Sequence, residues 1–256
     1  MKAVILAGGY GTRMSEATRL IPKPMVEIGD KPILWHIMQM YSHYGINEFI
    51  ICGGYKQYVI KEYFSNYLYH NSDLRIDLGN GQIDVLNNKN PDWKITIVDT
   101  GINTMTGGRI KRIQEYVGDE PFFLTYGDGV SDVDILQSYD KHVQSGKILS
   151  MMAFQPSGKL GVLDISDDGV VNAFKEKPDS DGTWINAGFF VCKPELFDYL
   201  DLNSGMFELE TMQRLIEDRQ LNAYKHHGSW MPMDTLNDNR ILNELWEDGK
   251  AWWKKW

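Results

Sequence analysis

Short, unbroken apolar runs recur along the chain, each ending in glycine or a polar turn. "KAVILA" (2–7) and "EFIICG" (48–53) show no polar alternation, the mark of strands buried on both faces of a parallel sheet. Between them, "KPILWHIMQMYSHYG" (31–45) sets Ile33, Ile37, Met40 and Tyr44 at helical spacing, and Gly45 closes the pattern. A second helix is expected over about 56–67. Strand, long loop, helix, strand, helix predicts an α/β sheet built by right-handed crossovers.

From residue 73 the period changes. Leu74, Ile76 and Leu78 alternate, Asn80-Gly81 offers a tight turn, and Ile83 and Val85 alternate again, which predicts a hairpin over 73–87. "WKITIVDT" (93–100) and "PFFLTYGDG" (121–129) read as strands; "GGRIKRIQEYVG" (107–118) and "DVDILQSYDKHVQSG" (132–146) read as helices. The second half is richer in strand. "ILSMMAF" (148–154) and 161–178 predict antiparallel ribbons with a turn at Asp168-Gly169. "INAGFFVCKPELF" (185–197) is a strand entering a helix, and further helices are expected over 207–219 and 236–248. The fold class is therefore α/β: a Rossmann-like, mixed, mostly parallel sheet flanked by helices, with a small antiparallel elaboration. With no internal repeat and no Ser/Gly/Pro linker, one domain over 1–256 is expected, in two halves of about 1–130 and 131–256.

Length and charge narrow the partners. A chain of 256 residues can bury a full core, and 43% hydrophobic with 24% charged residues is ordinary for a soluble protein. Its 26 Lys and Arg stand against 35 Asp and Glu, a net charge of −9, which disfavours nucleic acid and anionic membranes. Positive charge is instead local: Lys2, Arg13, Arg19 and Lys23 face only Glu16 in the first 24 residues. Cys52 and Cys192 each end an apolar run and read as buried free thiols of a reducing cytoplasm. "AVILA" is too short for a secretory signal, and no run approaches the ~18–20 apolar residues that span a bilayer, so a cytoplasmic location is expected.

The candidate chemistry begins at "LAGGYGTRM" (6–14). A dinucleotide fingerprint would need glycine where Met14 stands, and a Walker loop would need Gly-Lys-Ser/Thr; neither is present. What remains is a strand, a glycine-rich turn and an arginine, followed by Lys23 between Pro22 and Pro24. Such a loop is either a plain turn with solvated cations or a cradle in which backbone N–H groups and cations meet phosphate. The stiff prolines favour a fixed direction for the Lys23 side chain. Asp128 sits between Gly127 and Gly129 where a strand meets a loop, the usual place for a ligand in an open α/β sheet, although a lone loop Asp is more often a turn residue.

"LAGGYGTRM" and "PKPM", followed in order by "TMTGGRI", "YGDGVSDVD", "FKEKP", "INAGFFV" and "WMPMDT", resemble the signature of the sugar-phosphate nucleotidyltransferases. The likeness covers nearly the whole chain, and in detail it is to the cytidylyltransferases of that family. It implies the nucleotide-diphospho-sugar transferase fold and transfer of a nucleotidyl group to a sugar 1-phosphate with Mg2+ as cofactor and release of pyrophosphate. CTP and glucose 1-phosphate are the implied substrates, UTP or dTTP the alternative nucleotides, and a silent nucleotide-sugar-binding protein the alternative class. A homo-oligomer and a role in supplying surface polysaccharide are also implied.

Carried over residue by residue, the resemblance makes Arg13 and Lys23 catalytic. Leu6, Ala7, Gly8, Gly9, Gly11, Thr12, Arg13, Lys23, Thr104, Arg109 and Gly127 become nucleotide-binding. Gly161, Glu176, Lys177 and Asn186 take the sugar phosphate, and Asp128 with Asp234 hold the metal. The residue inventory suits that chemistry. A phosphate monoester with a second pKa near ~6 is already largely dianionic at pH 7 and needs no general base. The work left is alignment of repelling phosphates and stabilisation of a departing pyrophosphate. Cytosine offers an amine donor with N3 and O2 acceptors; Arg109 can only donate, whereas the Thr104 and Thr106 hydroxyls can do either. Thr106 reads equally well as a helix cap. The spacings of the histidines match no zinc motif. "AWWKKW" at the C-terminus is expected to serve core packing or subunit contact.

Overall fold

The structure is a computed structural model that describes residues 1–88, 90–156, 162–165, 171–175 and 183–256, with backbone alone at Ser15, 162–165 and 171–175. Gly161, Glu176 and Lys177 lie outside the described residues.

Seven strands form one twisted sheet: β1 (Ala3–Ala7), β2 (Glu48–Gly53), β3 (Lys94–Asp99), β4 (Phe122–Tyr126), β5 (Leu149–Phe154), β6 (Ile185–Cys192) and β7 (Leu221–His226). Their spatial order is β7-β5-β6-β4-β1-β2-β3. The pairings β1–β2, β1–β4, β2–β3 and β5–β7 are parallel, and only β6 is antiparallel to its neighbours β4 and β5. This is the expected mixed, mostly parallel sheet. The apolar runs are unbroken because both faces are covered: Ala3, Ile5 and Ala7 enter one core, and Val4 and Leu6 enter the other. The first core is packed by α1 (Ile33–His43), by Ile60 of α2 (Gln57–His70) and by Ile135 and Leu242, and the second by Ile110, Met212 and Leu215.

Several boundaries depart from the sequence reading. The 107–118 helix is broken at Ile113 into α3 (Thr106–Arg112) and α4 (Gln114–Val117). The expected 207–219 helix opens with a π-helical segment, Phe207–Thr211, before α-helical Met212–Glu217. The run 148–154 does not form a ribbon with 161–178; as β5 it lies inside the main sheet, while Val162–Ile165 pairs with Val171–Lys175 separately. The 185–197 stretch is β6 followed by a 3-10 turn, Pro194–Tyr199, rather than by an α-helix. The hairpin forms as read, from Asp73–Asp77 and Gln82–Asn87, and leaves Ile76, Leu78, Ile83 and Leu86 exposed.

At the C-terminus Trp253 is fully buried against Trp246 and His36, so the tail packs into the core. Cys52 and Cys192 are buried free thiols. Among the described residues no helix is long and apolar enough to cross a membrane.

Candidate active site

Strand direction decides where the polar residues collect. Parallel β1, β2 and β4 all end at one edge of the sheet, with Leu6 opposite both Cys52 and Tyr126. Because β6 is reversed, its first residues reach the same edge, and Asn186 pairs with Ala153 near the end of β5.

Two acidic residues far apart in sequence converge here. Gly129–Ser131 pairs antiparallel with Trp230–Pro232, and the Met233 N–H donates to the Asp128 carbonyl at 2.8 Å. That small ribbon brings Asp128 and Asp234 side by side. Asp234 is then held at the start of the last helix (Leu236–Glu247), where Thr235 and Asp238 form a reciprocal capping box. The Lys23 Nζ donates to Asp128 Oδ2 at 2.7 Å and to Asp234 Oδ1 at 2.6 Å, and exposed Arg13 pairs with the other Asp234 oxygen. Burial pushes the Asp234 carboxyl up, but Lys23 and Arg13 together pull it below the ordinary carboxylate range.

Can these residues hold magnesium? Two carboxylate oxygens lie within hydrogen-bond distance of a single ammonium nitrogen, close enough for one small cation to bridge. Two carboxylates, with room for phosphate and water oxygens, suit a hard, oxygen-seeking ion. The donor set fits. Among the described residues no cluster of three or more His, Cys, Asp or Glu offers a rival metal site.

Beside this cluster opens a cavity of about 470 Å3. Leu6, Ala7, Gly8, Gly9, Gly11, Thr12, Arg13, Lys23, Thr104, Arg109 and Gly127 all line it, as does Asp128. A second cavity of about 270 Å3 is lined by Asn186, Asp128, Asp234 and Arg13, with Gly188 and Trp230. Arg13, Tyr126 and Asp128 border both spaces, so the acidic pair stands at their seam.

Arg109, expected as a base or ribose contact, lines this cavity and also holds its walls together. It is buried, and its two Nη atoms donate to the carbonyls of Gly8 (3.0 Å), Gly53 (3.1 Å), Gly101 (2.8 Å) and Ile102 (3.3 Å) and to the Thr100 hydroxyl (2.7 Å). The guanidinium ties together the loops after β1, β2 and β3. A Cβ at Gly8 would lie 2.1 Å from Arg109 Nη1, so glycine there makes room for the arginine. Thr106 is not a cap either: its hydroxyl donates to Glu208 Oε2 at 2.9 Å and accepts the Phe207 N–H at 2.8 Å.

The sequence reading missed several residues. Tyr10 donates to Asn103 Oδ1 at 2.7 Å across the larger cavity, which Met105 and Met206 also line. Trp230 carries a buried indole N–H with no acceptor among the described residues. Tyr126 donates to Glu208; burial and then the Glu208 charge hold its phenol proton on well above the usual range. Tyr126 was legible as part of "TYGDG", but nothing local marks Glu208.

The chain belongs to the nucleotidyl transferase family, whose model matches residues 2–249. It is 53% identical to the glucose-1-phosphate cytidylyltransferase of Salmonella typhi, over 100% of both chains. It is 28% identical to the mannose-1-phosphate guanyltransferase of Saccharomyces cerevisiae, over 96% of this chain and 66% of that one. A UDP-glucose pyrophosphorylase solved with UDP-glucose shares the fold at TM-score 0.67 and 17% identity, over 97% and 98% of the two chains.

Proposed function

We propose that this chain transfers a cytidylyl group from CTP to glucose 1-phosphate, giving CDP-glucose and pyrophosphate. The observation that carries the reading is full-length 53% identity to a glucose-1-phosphate cytidylyltransferase. The meeting of Lys23, Asp128 and Asp234 beside the larger cavity supports it.

In this reading the larger cavity takes CTP and the smaller one the sugar. Lys23 and Arg13 bind the triphosphate and steady the departing pyrophosphate. Asp128 and Asp234 hold magnesium, which supplies charge neutralisation on the phosphates when bound. The sugar phosphate attacks in line, without a covalent enzyme intermediate. Its dianion needs no base, so positioning supplies most of the rate. Asn186 contacts the sugar, and Gly161, Glu176 and Lys177 are proposed to complete that side. Arg109 shapes the base pocket by fixing its loop carbonyls. We further read the chain as one cytoplasmic domain with a nucleotide half over about 1–130. It assembles as a homo-oligomer, consistent with the exposed apolar hairpin.

Pyrophosphate release, measured with CTP, UTP and dTTP against several sugar 1-phosphates, tests the assignment. CTP with glucose 1-phosphate is expected to be preferred. Preference for UTP or dTTP would replace the base assignment, and no release with any pair would overturn the reading.

A further inference from the structure

The two cavities are joined by a chain of hydrogen bonds whose direction can be deduced. The Gly188 N–H can only donate, and it reaches Asn186 Oδ1 at 2.8 Å, which settles which end of the Asn186 amide is oxygen. The Asn186 Nδ2 therefore faces the Tyr126 hydroxyl, at 3.4 Å. Tyr126 has one proton, and it goes to Glu208 Oε1, leaving the phenol oxygen free to accept from Asn186. The other Glu208 oxygen takes the Thr106 proton at 2.9 Å, and the Thr106 oxygen accepts the Phe207 N–H. The bonds from Asn186, Tyr126 and Thr106 all run toward Glu208, and they leave the second Asn186 Nδ2 proton unused.

The geometry around the chain is also fixed. A Cβ at Gly188 would lie 2.3 Å from the Tyr126 ring, so the ring lies directly against backbone there. Glu208 is delivered by the π-helical turn Phe207–Thr211, a rare form that often marks functional positions. Thr106 lines the larger cavity, Asn186 the smaller, and Tyr126 both.

We propose that Glu208 is a positioning residue that, through Tyr126, fixes the N–H edge of Asn186 so that the smaller cavity presents a donor to one sugar oxygen. The inference rests on reading that cavity as the sugar site. An amide at 208 cannot accept from both Tyr126 and Thr106 through separate oxygens: one of the two hydroxyl protons then faces an N–H2 group and must turn away.

The test uses the full chain with CTP, glucose 1-phosphate and its mono-deoxy analogues. In the wild type, one analogue is expected to lose about tenfold in kcat/KM, the effect of one hydrogen bond. Glu208→Gln and Tyr126→Phe should shrink that loss to about twofold, raise KM for glucose 1-phosphate, and leave KM for CTP within about twofold. A merely structural role would not erase discrimination at a single hydroxyl. If Glu208→Gln fails to fold, Tyr126→Phe, which keeps the ring on Gly188, reads the same quantity. Unchanged discrimination in a folded variant overturns the inference while leaving the activity intact; a wild type inactive with every pair overturns the functional reading instead.

Discussion

Two regions of this molecule bury ionisable side chains in opposite ways. At the strand ends Lys23 is only 9% exposed, yet it meets two carboxylates that reach solvent, and Arg13 adds a second cation. Beneath the C-terminal tail, His36 is wholly buried beside Trp35, Trp246, Trp253 and Trp256. There the ring makes no ion pair among the described residues, and burial outweighs the Asp30 charge to lower its pKa to about 4. Its Nε2 bonds the Ile28 carbonyl at 2.9 Å, and the Trp253 indole N–H points at its Nδ1 at 3.4 Å. The first arrangement can exchange partners, because phosphates can take the cations and magnesium the carboxylates. The second cannot. Pairing equips a region for traffic in ions, whereas neutralisation equips it to hold a fold.

The largest effect that would sharpen this contrast is at Lys23. Lys23→Met should lower kcat/KM by about 10^3, as loss of a preorganised charge-stabilising donor does. The same change frees Asp128 and Asp234 from their shared partner. Magnesium should therefore raise the melting temperature of the variant more than that of the wild type. Equal shifts in a metal titration followed by melting would break the idea of exchangeable partners.

How much of this was readable beforehand depends on how local each signal is. The wall of the larger cavity comes from a few short stretches: Leu6 to Arg13, Lys23, Thr104 to Arg109 and Tyr126 to Asp128, most of them at the end of a strand or the start of a helix. The smaller cavity is assembled from distant pieces. Asn186 reaches the site because β6 alone is reversed, and Asp234 because three residues of ribbon pair with Gly129–Ser131. Neither pairing has a local pattern; Trp230 was legible only as part of "WMPMDT", and Glu208 carried no signal at all. Arg109 was found as a lining residue, although a motif cannot reveal that its donors also meet the carbonyls of Gly8, Gly53, Gly101 and Ile102. The break at Ile113 likewise depends on tertiary packing, as Ile113 is buried in the second core.

At the other region, Trp253→Ala should cost about 3–5 kcal/mol of stability, the range for emptying a large aromatic site. Urea unfolding measures it, and turnover per folded molecule should stay near the wild-type value. Removal of 251–256 should act in the same direction. A tail that could be cut without lowering the midpoint would not be part of the core.

The smallest effect separates the two regions by pH. His36 titrates near 6.5 when unfolded and near 4 when folded, so between these values the unfolded chain binds more protons. Stability contributed by the neutral ring is full above about pH 6.5 and is lost as pH falls toward 4, by about 1.4 kcal/mol per pH unit inside the window. His142, buried with Nδ1 2.9 Å from the Ser150 hydroxyl and also lowered to about 4, adds a parallel loss. Asp234 behaves differently: its carboxyl is depressed, so its contribution persists through that window and disappears only as pH falls below the ordinary carboxylate range. Asp30 and Lys254 are the charges that bear on His36, with opposite signs, so burial governs its titration. Urea unfolding at pH 7, 5.5 and 4.5 should therefore show a falling stability that His36→Gln flattens in part and Asp234→Asn does not. The reverse pattern would mean that the acid-sensitive group lies at the strand ends, and that the tail region owes its hold to something other than a neutral ring.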